Sequence, residues 1–306
     1  MHTIETAKGL ETASLTSTPT ANTDLAGSTL PELPIKPLIV IEPSKSWVPL
    51  NLRELWAHRE LLYFLTWRDL KVRYKQTVLG VIWVVVQPLM GTIIFSIFLG
   101  KLARVPSDGI PYPIFVYVGL LSWTFFSAAV TNSGNSLVGS AHLITKVFFP
   151  RLIIPVAAVA VRLIDLAISF VILIGMMLYY GISVTRQNLL LFLLVPLITL
   201  LALGIGMWTS ALNVKYRDIG VAIPVLMQLW MFASPVVYPL SLVPAQWQRI
   251  YALNPLVGYM EGFRYAIFGG QLDLVALSTS IVITLALLVY SAYAFRRMEK
   301  EFADIV

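Results

Sequence analysis

No charged side chain interrupts the chain between Lys75 and Lys101. About 20 mostly apolar residues carry a helix across the hydrocarbon core of a bilayer, so this one run already points to a fold built inside a membrane. Five more stretches read the same way. The six candidate spans are about 78–99, 112–131, 152–180, 188–210, 219–239 and 274–295. Composition agrees, since 58% of the residues are hydrophobic and 12% are charged, against about 25% charged in a soluble domain. The expected fold class is an all-α integral membrane protein with six transmembrane helices.

An even number of crossings puts both termini on one side, and Lys and Arg gather in cytoplasmic loops. Thirteen cations fall on the side of the termini, at Arg53, Arg59, Arg68, Lys71, Arg73, Lys75, Lys146, Arg151, Lys215, Arg217, Arg296, Arg297 and Lys300. Five fall opposite, at Lys101, Arg104, Arg186, Arg249 and Arg264. Both termini are therefore expected in the cytoplasm. The net charge of +6 reports this topology, and a nucleic-acid partner is not expected. With no Cys and three scattered His, disulfides and a zinc site are not expected either.

Residues 1–50 are rich in Ser, Thr and Pro without apolar periodicity, the composition of a disordered extension. They lack the basic start and apolar core of a cleaved signal peptide. The organisation read from the chain is this extension, an amphipathic segment over 51–77, a six-span domain over 78–300 and a tail over 301–306. In the amphipathic segment Leu52, Leu55, Trp56, Tyr63, Trp67, Leu70 and Tyr74 recur mainly at helical steps among basic residues. That pattern suits a helix lying along the cytoplasmic membrane surface, with its aromatic side in lipid.

Polar residues inside the spans are the candidate sites. Gln87 and Pro88 interrupt the first span. Pro breaks a helical hydrogen bond, and two readings stand: a packing kink, or a helix that bends beside a conduit. Arg162 and Asp165 lie three apart in the third span, on one helical face. They read as a structural ion pair or as groups facing a polar path. The stretch 132–145 is uncharged and polar, and a cytoplasmic turn followed by a short helix is expected there. Its GNSLVGSA resembles a phosphate-binding loop, but Ser140 stands in place of the required Lys and no strand precedes it. The chain is therefore not expected to bind or hydrolyse ATP. Residues 235–273 carry Tyr238, Trp247, Tyr251, Tyr259, Phe263, Tyr265 and Phe268 among four Pro. Short helices re-entering the outer leaflet fit this segment. Its aromatics read as an interfacial belt or as a ring that stacks against passing sugars.

Four motifs occur in order: WRDLKVRYKQTVLGVIWVVVQPL from Trp67, ITKVFFPRLIIP from Ile144, NVKYRDIG from Asn213 and LNPL from Leu253. With them the chain resembles, over about 51–300, the membrane subunit of type-2 ABC exporters of bacterial cell-surface polysaccharide, a family that includes O-antigen, capsule and teichoic-acid permeases. The resemblance implies a homodimer in the bacterial cytoplasmic membrane with two copies of a separate ATPase, which binds the ATP and Mg; this chain itself carries no cofactor. It implies a polysaccharide cargo on a polyprenyl-pyrophosphate carrier. It further implies that Leu143, Lys146, Phe148, Phe149, Pro150 and Arg151 dock the ATPase, with Asn213, Tyr216, Arg217 and Asp218 making a second contact. Spans one and five would bound the conduit, whose candidate residues are Trp83, Gln87, Pro88, Arg162, Asp165, Tyr238, Trp247, Tyr251 and Tyr259. On that reading Arg68, Arg73 and Lys75 stand where the lipid-linked pyrophosphate arrives.

Three rivals remain at this stage. An ABC permease for drugs or small lipids would share the topology without needing the aromatic external segment. A membrane transferase on lipid-linked sugar needs catalytic acids, and these are sparse here: Asp165 in a span, Glu261 and Asp273 outside. An ion-coupled transporter would depend on Arg162 and Asp165 rather than on ATP.

Overall fold

A computed structural model describes residues 56–75, 80, 82–146, 149–299 and 302. The expectations for 1–55, for Phe148 and for most of the tail lie outside the described residues. Among the described residues all regular structure is helical. Helix α1 is Arg59–Lys75, α2 is Ile82–Leu102, α3 is Tyr112–Gly139, α4 is Ala141–Lys146 and α5 is Ile153–Tyr179. A 3₁₀ turn, Arg186–Leu190, leads into α6, Leu191–Lys215. There follow α7 (Asp218–Phe232), α8 (Ala245–Tyr251), α9 (Pro255–Phe268) and α10 (Leu274–Glu299). Five segments are long and apolar enough to cross a bilayer: α2, α3, α5, Arg186–Lys215 and α10.

The central element is α3. It packs most extensively on α6 and α5 and also touches α2, α7 and α9. Phe115, Tyr117 and Phe126 are fully buried along it. Lipid tails are as apolar as a Leu side chain, so such helices associate through close packing and hydrogen bonds rather than through the hydrophobic effect. Two of those contacts are visible. A Cβ on Gly206 of α6 would stand 2.5 Å from Ser133 of α3, so only glycine allows that approach. The Tyr117 hydroxyl donates to the Ser169 carbonyl of α5 at 2.9 Å.

The turn expected within 132–145 begins later than the composition suggested. Residues Asn132–Gly139 continue α3 as regular helix. Their polar side chains are satisfied locally: Asn132 donates to the Ala128 carbonyl, Asn135 to Thr131 and Ser136 to Ser133. Bonding back to the preceding turn lets such side chains sit within a helix at a slight cost. Only then does the expected short helix follow, as α4.

The fifth expected span forms as the 15-residue α7, about 22 Å long. Pro235 ends it, because the residue before a proline is pushed out of the helical region. A non-helical turn over 233–239 then leads to α8 and α9. At the far end of α2 the ladder widens to π-helix over Ser96–Leu102, where Ala103 N–H bonds the Phe98 carbonyl five residues back.

Two apolar cores result. The larger joins α3, α5, α6, α7, α9 and the 233–237 turn. The smaller lies at the basic end of the bundle and joins Leu137, Ile144, Phe149, Ile153, Met207, Val214 and Phe295 with Leu65 of α1. Thus α1 turns its aliphatic side, Leu61, Leu62 and Leu65, to the bundle and leaves Tyr63, Phe64 and Trp67 exposed, as is Trp56 just before it.

Candidate functional sites at the two ends of the bundle

At the basic end, Asp165 gathers three partners from two helices. Its Oδ2 lies 2.8 Å from Arg73 Nη1 of α1 and 3.0 Å from Arg162 Nη1 of α5. Its Oδ1 accepts from the Tyr74 hydroxyl at 2.5 Å. The pair expected from spacing is present, and the end of the amphipathic helix is tied to it. Burial, with the Asp165 carboxylate alongside, pushes the Tyr74 phenol up from its ordinary value, so it stays a hydrogen-bond donor. Arg68 instead pairs with its neighbour Asp69 at 2.7 Å, and Lys75 is exposed. Of the three cations assigned to one lipid-pyrophosphate site, only Arg73 meets the span residues.

The residues assigned to ATPase docking divide by exposure. Lys146, Tyr216, Arg217 and Asp218 are exposed, and Leu143 and Pro150 are half-buried. Phe149 belongs to the smaller core. Arg151 donates to the Glu299 carbonyl at 2.5 Å and lies over the Phe302 ring, so it holds the end of α10. Asn213 is buried and ties three segments together. Its amide donates to the Gly134 carbonyl at 3.1 Å and to Asn135 Oδ1 at 3.0 Å, and its oxygen accepts from Gly220 N–H at 2.9 Å. Phe149, Arg151 and Asn213 therefore shape the surface from behind, while the exposed four present it.

On α2, Trp83 and Gln87 share one exposed face, whereas Pro88 is buried with Val84 and Thr92 on the opposite side. Thr92 Oγ1 donates to the Pro88 carbonyl at 2.9 Å. Pro88 thus faces the bundle and the polar side chain of Gln87 faces away from it. Helix α7 buries only Ile223 and Met227 and exposes Val221, Val225 and Leu229.

At the other end, the buried turn after α7 has its carbonyls met by side chains from α3 and α9. Arg264 Nη2 donates to Pro235 at 2.6 Å and to Val236 at 3.1 Å. Tyr112 donates to Val237 at 2.8 Å. Asn254, which caps α9, donates to the Ala233 carbonyl at 3.0 Å and to Ser234 Oγ at 2.8 Å, while its oxygen accepts from Leu256 N–H and Trp230 Nε1. Arg264 is itself buried, paired with Glu261 at 2.9 Å and 4.0 Å above the Phe115 ring. Irregular backbone survives at membrane depth only when protein satisfies it in this way. Sequence reading counted Arg264 as an ordinary external charge. Its three-residue spacing from Glu261 is the signal that could have singled it out.

Beside this turn a cleft of about 420 Å³ is lined by Trp230, Trp247, Ile250, Tyr251, Leu253 and Asn254. Trp247 and Tyr251 come together there as aromatic lining, and Tyr238 reaches Tyr251 through a 2.6 Å hydroxyl contact. Tyr259 does not join them. It is fully buried, with its hydroxyl 2.5 Å from Thr284 Oγ1, so it packs α9 on α10 and offers no ring to a passing molecule.

The sequence pattern of the ABC-2 type transporter family matches residues 60–268, a stretch that runs from α1 through α9. The chain belongs to that family. This ABC-2 chain is also 31% identical over 259 residues to the O-antigen export system permease protein RfbA of Myxococcus xanthus, covering 83% of this chain and 98% of the relative. A Klebsiella pneumoniae protein of the same name is 28% identical over 251 residues, 81% of this chain and 95% of the relative. The polysialic acid transport protein KpsM of Escherichia coli is 24% identical over 237 residues, 73% of this chain and 89% of the relative. With its five long apolar helices, the ABC-2 chain is a multi-pass protein of the inner membrane.

Proposed function

We propose that this chain is the permease subunit of an ATP-driven exporter that moves lipid-linked polysaccharide across the bacterial cytoplasmic membrane. The observation that carries the reading is similarity over most of the chain to an export permease and a transport protein named for two different polymers, O-antigen and polysialic acid. What those polymers share is a long chain of sugars, so the class of cargo follows and its composition does not.

In this reading the chain is a homodimer with two copies of a separate ATPase, which supplies ATP and Mg²⁺. The termini and α1 are cytoplasmic. The fifth of six crossings is α7 completed by the buried turn, and α8 and α9 re-enter from outside. The exposed Lys146, Tyr216, Arg217 and Asp218 form the ATPase contact, braced by Asn213 and Phe149. The lipid pyrophosphate reaches the chain beside Arg73 and Lys75, with Arg68 nearby on α1. The glycan passes along the Trp83–Gln87 face of α2 and the exposed face of α7, and leaves past the Trp247–Tyr251 cleft. Flat apolar rings suit the hydrophobic faces of sugars there without gripping one sugar type.

The test is to purify the tagged chain in mild detergent and identify what accompanies it by mass spectrometry. An ABC ATPase at a near one-to-one ratio, with ATP-dependent export by membrane vesicles, is the expected result. Vesicles that transport without ATP, and no nucleotide-binding partner, would overturn it.

A further inference from the structure

The run 132–139 that ends α3 is polar and uncharged, and the export reading gives it no part. Asn132 and Ser136 donate back along their own helix. Asn135 does this and more. Its amide donates to the Thr131 carbonyl at 3.0 Å, while its Oδ1 accepts from Asn213 Nδ2 of α6 at 3.0 Å. Asn213 Oδ1 in turn accepts from the Gly220 N–H of α7 at 2.9 Å. A continuous row of hydrogen bonds thus runs from α7 through α6 to α3. A buried polar network whose members are all satisfied specifies one arrangement and rigidifies it.

Packing tightens the same junction. A Cβ on Gly220 would stand 2.7 Å from Asn135 Oδ1 and 3.0 Å from Asn213 Oδ1. A Cβ on Gly134 would stand 2.6 Å from Ile223 of α7 and 2.9 Å from Thr209 Oγ1 of α6. The position of this junction gives it a consequence. Only Tyr216 and Arg217 separate α6 from α7, and the Arg217 side chain makes no capping bond to α7. Asn213 meets the start of α7 instead, from the preceding helix. Without it a push on the exposed Tyr216–Asp218 would swing the chain at this break and be absorbed there. On the other side, α3 leads directly into α4, which ends at the exposed Lys146. The junction therefore lies behind both parts of the ATPase contact and joins them.

We infer that Asn135 and Asn213 are positioning residues that lock Lys146 and Tyr216–Asp218 into one unit, so that a push from the ATPase moves α3, α6 and α7 together. The inference rests on the permease reading above and deepens it: the coupling of ATP hydrolysis to export passes through this amide pair.

The test uses the permease–ATPase complex, purified through a tag on this chain and reconstituted in liposomes, with lipid-linked glycan extracted from the native cells as probe. ATP hydrolysed and glycan moved are counted in the same vesicles, and melting is followed in detergent. Asn135→Ser is the informative variant, because a serine bonds back to the Thr131 carbonyl but is too short to reach Asn213. It keeps the bond inside α3 and loses the one between helices. ATP used per glycan moved rises about fivefold, the factor that losing one ordinary hydrogen bond corresponds to. The melting temperature stays at the parental value. Asn132→Ala, which loses a bond inside α3, keeps the parental ratio. Gly220→Ala pushes the amide pair away from the α7 side and gives the same rise by an independent route. A merely destabilised complex loses both activities in proportion. An unchanged ratio in either Asn135→Ser or Gly220→Ala therefore overturns the inference while the permease reading stands. So does an equal rise in Asn132→Ala. A parent complex that moves no glycan with ATP overturns the permease reading itself.

Discussion

Arg264 on α9 holds the Pro235 carbonyl at 2.6 Å, across a helix boundary and 29 residues of chain. Through that bond, its partner bond to Val236 and the Asn254 bonds beside it, a stretch with no helical hydrogen bonding of its own is kept inside the bundle.

Replacing Arg264 by Met leaves two buried carbonyls without donors and Glu261 without its cation. Removing one partner of a buried pair costs about 3–5 kcal/mol. The purified variant should melt well below the parent in detergent. Arg264→Lys should recover only part of the loss, because a point ammonium cannot reach both carbonyls as the guanidinium does. A thermal-shift series on the three proteins measures this.

Gly119 of α3 faces the Val236 carbonyl so closely that a Cβ there would collide with backbone. Gly119→Ala must push the turn outward and should destabilise by about 1–3 kcal/mol, as overpacking does. Gly139→Ala, at the end of the same helix, meets nothing within 4 Å and should be neutral. Comparing their melting temperatures separates packing from helix propensity.

Asn213→Ala removes three hydrogen bonds that link α6, α3 and α7. Leaving such buried groups unmet costs about 1–3 kcal/mol each. Tyr216→Ala and Arg217→Ala, on exposed side chains, should leave stability unchanged. In pull-downs the exposed variants should lose the ATPase with a normal melting curve, whereas Asn213→Ala should lower both together.

Tyr259→Phe removes one buried hydroxyl and its bond to Thr284, a change of about 1 kcal/mol. Export of glycan should be normal. Trp247→Ala, at the exposed cleft, should slow export without affecting stability. Cell-surface glycan measured by blotting distinguishes the two aromatics.

How much of this could be read in advance depended on the range of the signal. Apolar runs located the five long helices because a span is a local property. The Arg162–Asp165 pair was legible for the same reason, since three residues apart on a helix means one face. Arg73 and Tyr74 joining that pair was not legible, because it requires knowing that α1 folds back along α5. Tyr259 was grouped with its aromatic neighbours by composition, yet its face of α9 points at α10. The short α7 was hidden by the continuing hydrophobicity of 233–239, whose backbone is satisfied by side chains distant in sequence. Pro235 was the local warning that the helix stops there.

The length of α7 has a bearing on the membrane itself. At about 22 Å it falls short of a hydrocarbon layer about 30 Å thick, and the turn that completes it is held by side chains rather than by a helical ladder. If α7 is a crossing, as proposed above, the bilayer beside it must thin to match, at a cost of fractions of a kcal/mol per ångström. On that reading bilayer thickness acts on this wall more than on any of the long helices, and acyl-chain length becomes a setting to which this part of the permease responds.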